Sequence, residues 1–165
     1  MRLVRHPDRK RSRARSCGRS VGALLVPVVI SACGGTATRG PDLEIREARV
    51  RPAVVPDSGG APIHSAAYLT IRNRGSADDR LLGAGFAGAR RVEIHETQVN
   101  PEGLATMRRV ESIAIPAGRE IRLEPGGLHV MLMDLEASLV SGDTVRLSLE
   151  FENSGSRTVA AEVGS

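Results

Sequence analysis

Residues 95–133 read HETQVNPEGLATMRRVESIAIPAGREIRLEPGGLHVMLM and contain the pattern that decides the fold. Apolar and polar residues alternate in short runs, as in VEIH at 92–95 and LHVMLM at 128–133, and turn residues such as NPEG and PGG separate the runs. Side chains two residues apart on a strand share a face, so this alternation predicts half-buried β-strands. The same stretch contains every methionine except the initiator and two of the four histidines.

The same kind of run recurs from residue 43 to the end of the chain. Nine runs are predicted to be strands: residues 43–51, 65–72, 80–86, 91–99, 104–113, 120–123, 128–135, 144–151 and 157–163. No window combines the periodicity and the capping residues of an amphipathic helix. About eight or nine short strands with regular turn signals predict an all-β fold, a sandwich or barrel. With 2% aromatic residues, its core must be aliphatic.

Residues 1–32 are predicted to be a leader rather than part of the fold. Eight of the 23 Lys and Arg residues lie there, followed by a ten-residue apolar run that is too short to span a bilayer as a helix. The run ends in ISACG at 30–34, which resembles the lipobox of bacterial lipoproteins. That resemblance implies a lipidated Cys33 and an extracytoplasmic protein anchored to the bacterial cell membrane. The alternative is an ordinary cleaved signal peptide.

The rest of the chain is predicted to be Cys33 with a flexible tether, over residues 33–42, and a domain over residues 43–165. The net charge of +4 belongs to the leader, because acidic residues outnumber basic ones after residue 32. No basic stripe or set of stacking aromatic residues suggests nucleic-acid binding. If Cys17 is removed with the leader and Cys33 is lipidated, no thiol remains. A blue-copper electron-transfer site, which needs a cysteine ligand, is then excluded.

A row of metal-binding side chains is predicted on one strand. By the two-residue period, His129, Met131 and Met133 share a face, and Val130 and Leu132 point to the core. Imidazole nitrogen and thioether sulfur together form a ligand set suited to Cu(I).

A second pair is predicted on a hairpin. His95 points away from the face of Ile94, and a turn centred between Pro101 and Glu102 places His95 within one residue of Met107 on the facing strand. A sandwich can bring this pair together with His129 and Met131 at one of its ends.

The spacing of these four residues resembles the motif of the periplasmic copper chaperone family PCu(A)C. Eleven residues separate His95 from Met107, twenty-one separate Met107 from His129, and one separates His129 from Met131. The flanking segments are also similar to that family, over most of residues 43–151: AAYLTIRN at 66–73, IPAG at 115–118, PGGLHVMLMDL at 125–135 and GDTVRLSLEF at 142–151. The family motif allows an optional methionine after the first histidine, where this chain has Glu96.

The resemblance implies a cupredoxin-like Greek-key β-sandwich with one Cu(I) per domain, held by His95, Met107, His129 and Met131. It also implies delivery of copper by ligand exchange to cytochrome c oxidase, at the subunit that carries the CuA centre. A thiol-reductant copper chaperone is a second candidate partner, and the lipid anchor makes the membrane a third.

Two other functions fit the sequence. The same site serves equally for copper scavenging, storage or resistance, and a β-sandwich lipoprotein can act by binding another protein without metal. An enzyme is not expected, because the chain has no G-x-S-x-G, H-E-x-x-H or phosphate-binding glycine loop.

Five further residues lie near the predicted site in the sequence. Met133 is a candidate accessory donor because it shares the face of His129, although it lies outside the family motif. His64 is predicted to be a solvated or structural histidine. Glu93, Glu96 and Asp134 are either surface charges or residues that support the metal ligands from behind, and the surface role is the preferred interpretation.

Overall fold

The computed structural model describes residues 40–56 and 60–164, which belong to the compact unit Thr36–Ser165. The predicted leader, Cys33 and most of the predicted tether lie outside the described residues. Within them, no helix is long and apolar enough to cross a membrane.

The described unit contains ten β-strands and, among its described residues, no helix, so the all-β prediction is confirmed. The strands are β1 (Leu43–Val50), β2 (Ser65–Asn73), β3 (Asp79–Gly85), β4 (Ala89–Val99), β5 (Ala105–Arg109), β6 (Ile113–Ile115), β7 (Glu120–Leu123), β8 (Leu128–Leu135), β9 (Thr144–Phe151) and β10 (Gly155–Val163).

The strand count differs from the sequence prediction at one place. The run predicted as a single strand at 104–113 is two strands with different partners: β5 pairs with β4, and β6 pairs with β3. The amide of Val110 still donates to the carbonyl oxygen of Ile94 at 2.8 Å, after which the chain leaves β4. Residue periodicity does not show such a change of partner, because both pieces remain extended.

The strands form one hydrogen-bonded sheet in the order β5-β4-β8-β2-β1-β10-β9-β3-β6, and β7 pairs with β2. All pairs of strands are antiparallel except β1 with β10. Strands far apart in this order contribute to one core, which includes Val50, Leu69, Leu81, Leu132 and Leu149. The sheet therefore folds over onto itself and encloses the aliphatic core between two layers.

Strand β8 lies between β4 and β2 and shows the predicted alternation. Val130 and Leu132 are completely buried in the core, whereas Met131 and Met133 are only partly buried on the outer face. His129, on the same outer face, is 4% exposed and is buried by its neighbours on that face.

Candidate metal centre

The candidate ligands lie on the outer face of three adjacent strands, β5, β4 and β8. His95 of β4 is directly opposite His129 of β8, and their ring centroids are 6.0 Å apart with the ring planes tilted by 55°. Met131, two residues further along β8, is opposite Glu93. The two histidines therefore meet across one ladder of the sheet. The two predicted pairs are thus brought together, on adjacent strands.

The β4–β5 hairpin has a different register from the predicted one. Its loop has three residues, 101–103, because the amide of Asn100 donates to the carbonyl oxygen of Leu104 at 3.0 Å. Gly103, the last loop residue, has φ +81°, which is the left-handed conformation that a three-residue hairpin loop uses at this position. The turn is therefore centred on residue 102, half a residue later than the predicted centre between residues 101 and 102.

This register places Met107 on the face of His95 but not directly opposite it. His95 is opposite Arg109, and Met107 is opposite Thr97. His95 and Thr97 are two residues apart on one strand and so share a face, and Met107 lies on that face too. The prediction placed Met107 within one residue of the position opposite His95. In the structure Met107 lies two residues from that position, so the two side chains are diagonal neighbours on one face.

Three of the four motif residues line one open depression of about 320 Å³: Met107, His129 and Met131. His95 adjoins it through its contact with the His129 ring. The exposure of the four side chains differs greatly, from 4% for His129 to 62% for Met107. A metal ion in this depression would be held from below by buried imidazole and from the rim by an exposed thioether.

The tautomer of His129 is set by the turn before β8. Its Nδ1 lies 3.0 Å from the carbonyl oxygen of Gly127, and that oxygen also accepts the amide of Thr97 at 3.0 Å. Because a carbonyl only accepts, Nδ1 must carry the proton, and Nε2 keeps its lone pair for a metal. Gly126 has φ +82°, which a glycine adopts without strain and which forms the turn that presents this carbonyl.

The ring of His95 is oriented by Glu93. Nε2 of His95 lies 2.9 Å from Oε2 of Glu93, whereas Nδ1 is buried and has no hydrogen-bond partner. The hydrogen bond with His95 lowers the pKa of Glu93, and the charges of Arg109 and Arg91 lower it further against the effect of desolvation. An ionised Glu93 accepts the proton of Nε2, so Nδ1 presents an unused lone pair. A buried nitrogen without a partner is the feature expected of a metal ligand.

Glu93 contacts the candidate ligand His95, although the sequence analysis prefers a surface role for it. Glu96 is a surface charge as predicted, on the opposite face of β4, where it binds Arg108 at 2.7 Å. Asp134 also lies near the surface. Glu93 was grouped with them, yet it lies two residues before His95 on the same strand. The period-two rule that placed the methionines also places Glu93 on the ligand face.

Met133 and His64 lie at the margin of the site. Met133 is opposite Arg91 and is not among the residues that line the depression. His64 lines the depression, but its Nδ1 accepts the amide of Asp134 at 3.1 Å. Neutral His64 therefore carries its proton on Nε2, which leaves neither nitrogen free to bind a metal. This hydrogen bond supports a structural role for His64.

The donor set consists of two imidazole nitrogens and two thioether sulfurs. In the part of the chain that the structure describes, no group of three or more His, Cys, Asp or Glu residues is placed to hold a metal. The candidate set differs from such groups because half of its donors are neutral sulfur, the soft ligand that Cu(I) prefers.

Solved structures with a similar fold include PCuAC domains. The copper-bound PCuAC domain from PmoF2 has a TM-score of 0.58 and 26% sequence identity, over 74% of this chain and 92% of that domain. The solution structure of CuI-DR1885 from Deinococcus radiodurans has a TM-score of 0.55 and 31% identity, over 80% of this chain and 84% of that protein. The predicted cupredoxin-like sandwich and the resemblance to PCu(A)C are confirmed.

Sequence comparison identifies the family of this chain. Residues 43–163 match the family named "Putative lipoprotein LpqE-like". The protein named "Putative lipoprotein Lxx21020" from Leifsonia xyli subsp. xyli is 37% identical over 100 residues, which are 60% of this chain and 60% of that relative's length. The chain thus spans less than two thirds of this relative. With its fold and this match over most of its length, the chain belongs to the LpqE-like lipoprotein family.

Proposed function

We propose that the protein is an extracytoplasmic Cu(I)-binding chaperone that delivers copper to the CuA centre of cytochrome c oxidase by ligand exchange. The observation that carries the proposal is the convergence of His95, Met107, His129 and Met131 on one face of three adjacent strands, with the rings of His95 and His129 6.0 Å apart. The copper-bound PCuAC domain from PmoF2 and CuI-DR1885 share this fold, which supports the choice of metal.

The ligand chemistry is consistent with Cu(I) as cargo. Nδ1 of His95 and Nε2 of His129 are the nitrogens left free by the hydrogen bonds of each ring. Thioethers bind without losing a proton and favour the soft cuprous ion. A thiol-free site also cannot be blocked by disulfide formation outside the cytoplasm.

The differences in exposure suggest an order of release. Met107 is 62% exposed, whereas His129 is 4% exposed and its ring is held by a backbone carbonyl. An approaching acceptor ligand can therefore replace Met107 while His129 still holds the ion. Ligand exchange of this kind never leaves the copper without protein ligands.

Membrane attachment through a lipid on Cys33 is part of the proposal and is supported by membership of a lipoprotein family. A tether over residues 34–42 would reach roughly 30 Å when fully extended. The domain would then stay close to membrane-embedded oxidases and still be able to turn toward them.

Cu(I) binding is tested by competition between the purified protein and a chromophoric Cu(I) chelator. The substitutions His129→Ala and Met107→Ala should each weaken binding at least about tenfold, equivalent to about 1.4 kcal/mol. His64→Ala is the matched control, because it removes an imidazole at the rim of the same depression and should leave the affinity unchanged. Unchanged affinity in His129→Ala and Met107→Ala would leave the metal-free, protein-binding function as the better explanation.

Delivery is tested separately with the soluble CuA domain of an oxidase. The Cu(I)-loaded protein should transfer its metal to that domain, measured by the appearance of copper in the separated acceptor. Tight binding without transfer would favour scavenging or storage, the second candidate function.

A further inference from the structure

Strand β5 forms an edge of the sheet beside the candidate site. Among the described strands it pairs with β4 alone, and all five of its residues are exposed. It also contributes Met107, the most exposed of the four candidate ligands. The outer edge of β5 therefore lets another protein chain approach close to the candidate metal site.

The ladder shows which backbone groups face this edge. The amide of Val110 donates to Ile94, and the amide of Asn100 donates to Leu104, so the even-numbered residues of β5 bond to β4. In an antiparallel ladder the alternate residues direct their N–H and C=O groups to the other side. The outward-facing backbone groups are those of Ala105, Met107 and Arg109.

The same three residues also direct their side chains to the ligand face, because they are opposite Val99, Thr97 and His95. A partner strand that paired with this edge would place one residue directly opposite Met107, about 5.5 Å away between Cα atoms. The side chain of that residue would point to the same face as the thioether of Met107. Strand addition here therefore brings a foreign ligand beside the metal without any rearrangement of the domain.

The surface around the edge indicates the chemistry of the partner. Three apolar side chains are exposed at the hairpin, Val99 at 66%, Leu104 at 63% and Met107 at 62%. On the ligand face beside β5, positive charge is incompletely neutralised, because Arg109 shares the carboxylate of Glu93 with Arg91 and His95. A bound Cu(I) would add a further positive charge. An acidic strand fits the ligand face of this edge, whereas a second copy of β5 would bring another Arg109.

We propose that the copper acceptor docks on the protein by adding an extended, acidic segment to the outer edge of β5, with a copper ligand opposite Met107. This rests on the proposed chaperone function and deepens it. In the exchange, the bond from copper to the Met107 sulfur breaks as a bond from copper to the acceptor's nitrogen or sulfur forms. The ion stays Cu(I), and an acceptor thiol releases its proton to solvent.

Ala105→Pro tests the role of the edge backbone. Proline removes the outward N–H of residue 105, which β4 does not use, and proline is tolerated on an edge strand in that position. Ala105→Val is the matched control, since it enlarges the side chain but keeps the N–H. Transfer of Cu(I) from Ala105→Pro to a soluble CuA domain should slow about five- to tenfold, the effect of one lost hydrogen bond. Transfer to a small chelator, which needs no docking, should be unchanged in both variants.

Hydrogen exchange on the unmodified protein gives a second test that does not depend on folding of a variant. When the CuA domain is added, the amides of Ala105, Met107 and Arg109 should exchange more slowly, and that of Thr106 should change little. Equal exchange with and without the acceptor, or equal slowing of transfer in Ala105→Pro and Ala105→Val, would overturn strand addition while leaving delivery intact. Absence of transfer from the wild-type protein would overturn delivery and this docking mode together.

Discussion

The substitution Glu93→Gln tests the proposed metal centre most sharply. Glutamine has nearly the shape of glutamate but no charge, so the ionic acceptor for Nε2 of His95 is lost. The carboxylate now lies 2.9 Å from that nitrogen, and both side chains are well shielded, with 16% and 15% exposure. Glu93 is not itself a candidate ligand, so any loss of copper affinity must act through His95 or through the local charge that Glu93 shares with Arg91 and Arg109.

The size of the effect follows from these contacts. A hydrogen bond to a charged group contributes about 1.5–3 kcal/mol, roughly twice as much as a neutral one. The amide oxygen of glutamine can still accept the Nε2 proton, so about half of that contribution is lost. Arg91 and Arg109 would also lose the negative charge they now share. We expect Cu(I) to bind about 10- to 30-fold more weakly, within the range known for carboxylates behind metal-binding histidines.

The assay is competition with a Cu(I) chelator, and Glu96→Gln is the matched control. Glu96 lies on the other face of β4 and loses an ion pair with Arg108 when substituted, so it reports the general cost of removing a carboxylate from this strand. Nitrogen-15 NMR of the metal-free protein gives an independent measurement. In the wild type, Nδ1 of His95 should be unprotonated and Nε2 protonated.

The role of Glu93 would be refuted by two results on Glu93 and His95 themselves and by one result of the control variant. One is a Cu(I) affinity of Glu93→Gln within about twofold of wild type, which is less than about 0.4 kcal/mol. The other is a wild-type His95 with its proton on Nδ1, because Glu93 would then not determine the tautomer. Equal losses in Glu93→Gln and Glu96→Gln would also attribute the effect to the strand rather than to the site.

Three further predictions follow from the same structure. Met107→Ala should weaken Cu(I) binding at least about tenfold, whereas Met133→Ala should leave it within about threefold because Met133 does not line the depression; a larger effect of Met133→Ala in the chelator assay would make Met133 an accessory ligand after all. Leu132→Ala should lower the free energy of unfolding by about 2–5 kcal/mol in urea denaturation, because this side chain is completely buried beneath the ligand face, and a loss under 1 kcal/mol would show that the two layers are not packed as described. Burial opposes ionisation of Asp79, but hydrogen bonds from Ser154 and neighbouring amides outweigh it and lower its pKa. The stabilisation from Asp79 is therefore complete above the unfolded pKa of about 3.9 and is lost as the pH falls through the lower folded value. Asp79→Asn should flatten the acid limb of a stability–pH curve, and an unchanged limb would contradict this assignment.

The fold was largely predictable from periodicity. Strands such as β8 and β9 alternate regularly, and their bounds were predicted closely. The exception at 104–113 arises because the chain stays extended while it changes partner from β4 to β3. Alternation reports which face of a strand is buried, and it carries no information about which strand lies beside it.

The candidate site was predictable in its residue types and faces but not in its register. His129 and Met131 were placed on the outer face by the positions of Val130 and Leu132. The predicted partner of His95 was wrong by one residue, because the loop uses Gly103 as a third residue and shifts the turn centre by half a residue. The length of the loop determines which residues pair along the whole hairpin. An error of one residue in loop length therefore changes every cross-strand contact between the two strands.

The sequence by itself determined that the domain is all-β, with an aliphatic core, and that two histidines and two methionines lie on strand faces turned away from that core. These are consequences of local chemistry, because side-chain direction along a strand has a period of two residues. The tertiary structure alone decided that His95 meets His129 across one ladder, that Glu93 and Gly127 select the free nitrogens, and that Met107 lies on an open edge. Those features depend on the order and register of strands far apart in the chain, which long-range hydrogen bonding and core packing select together.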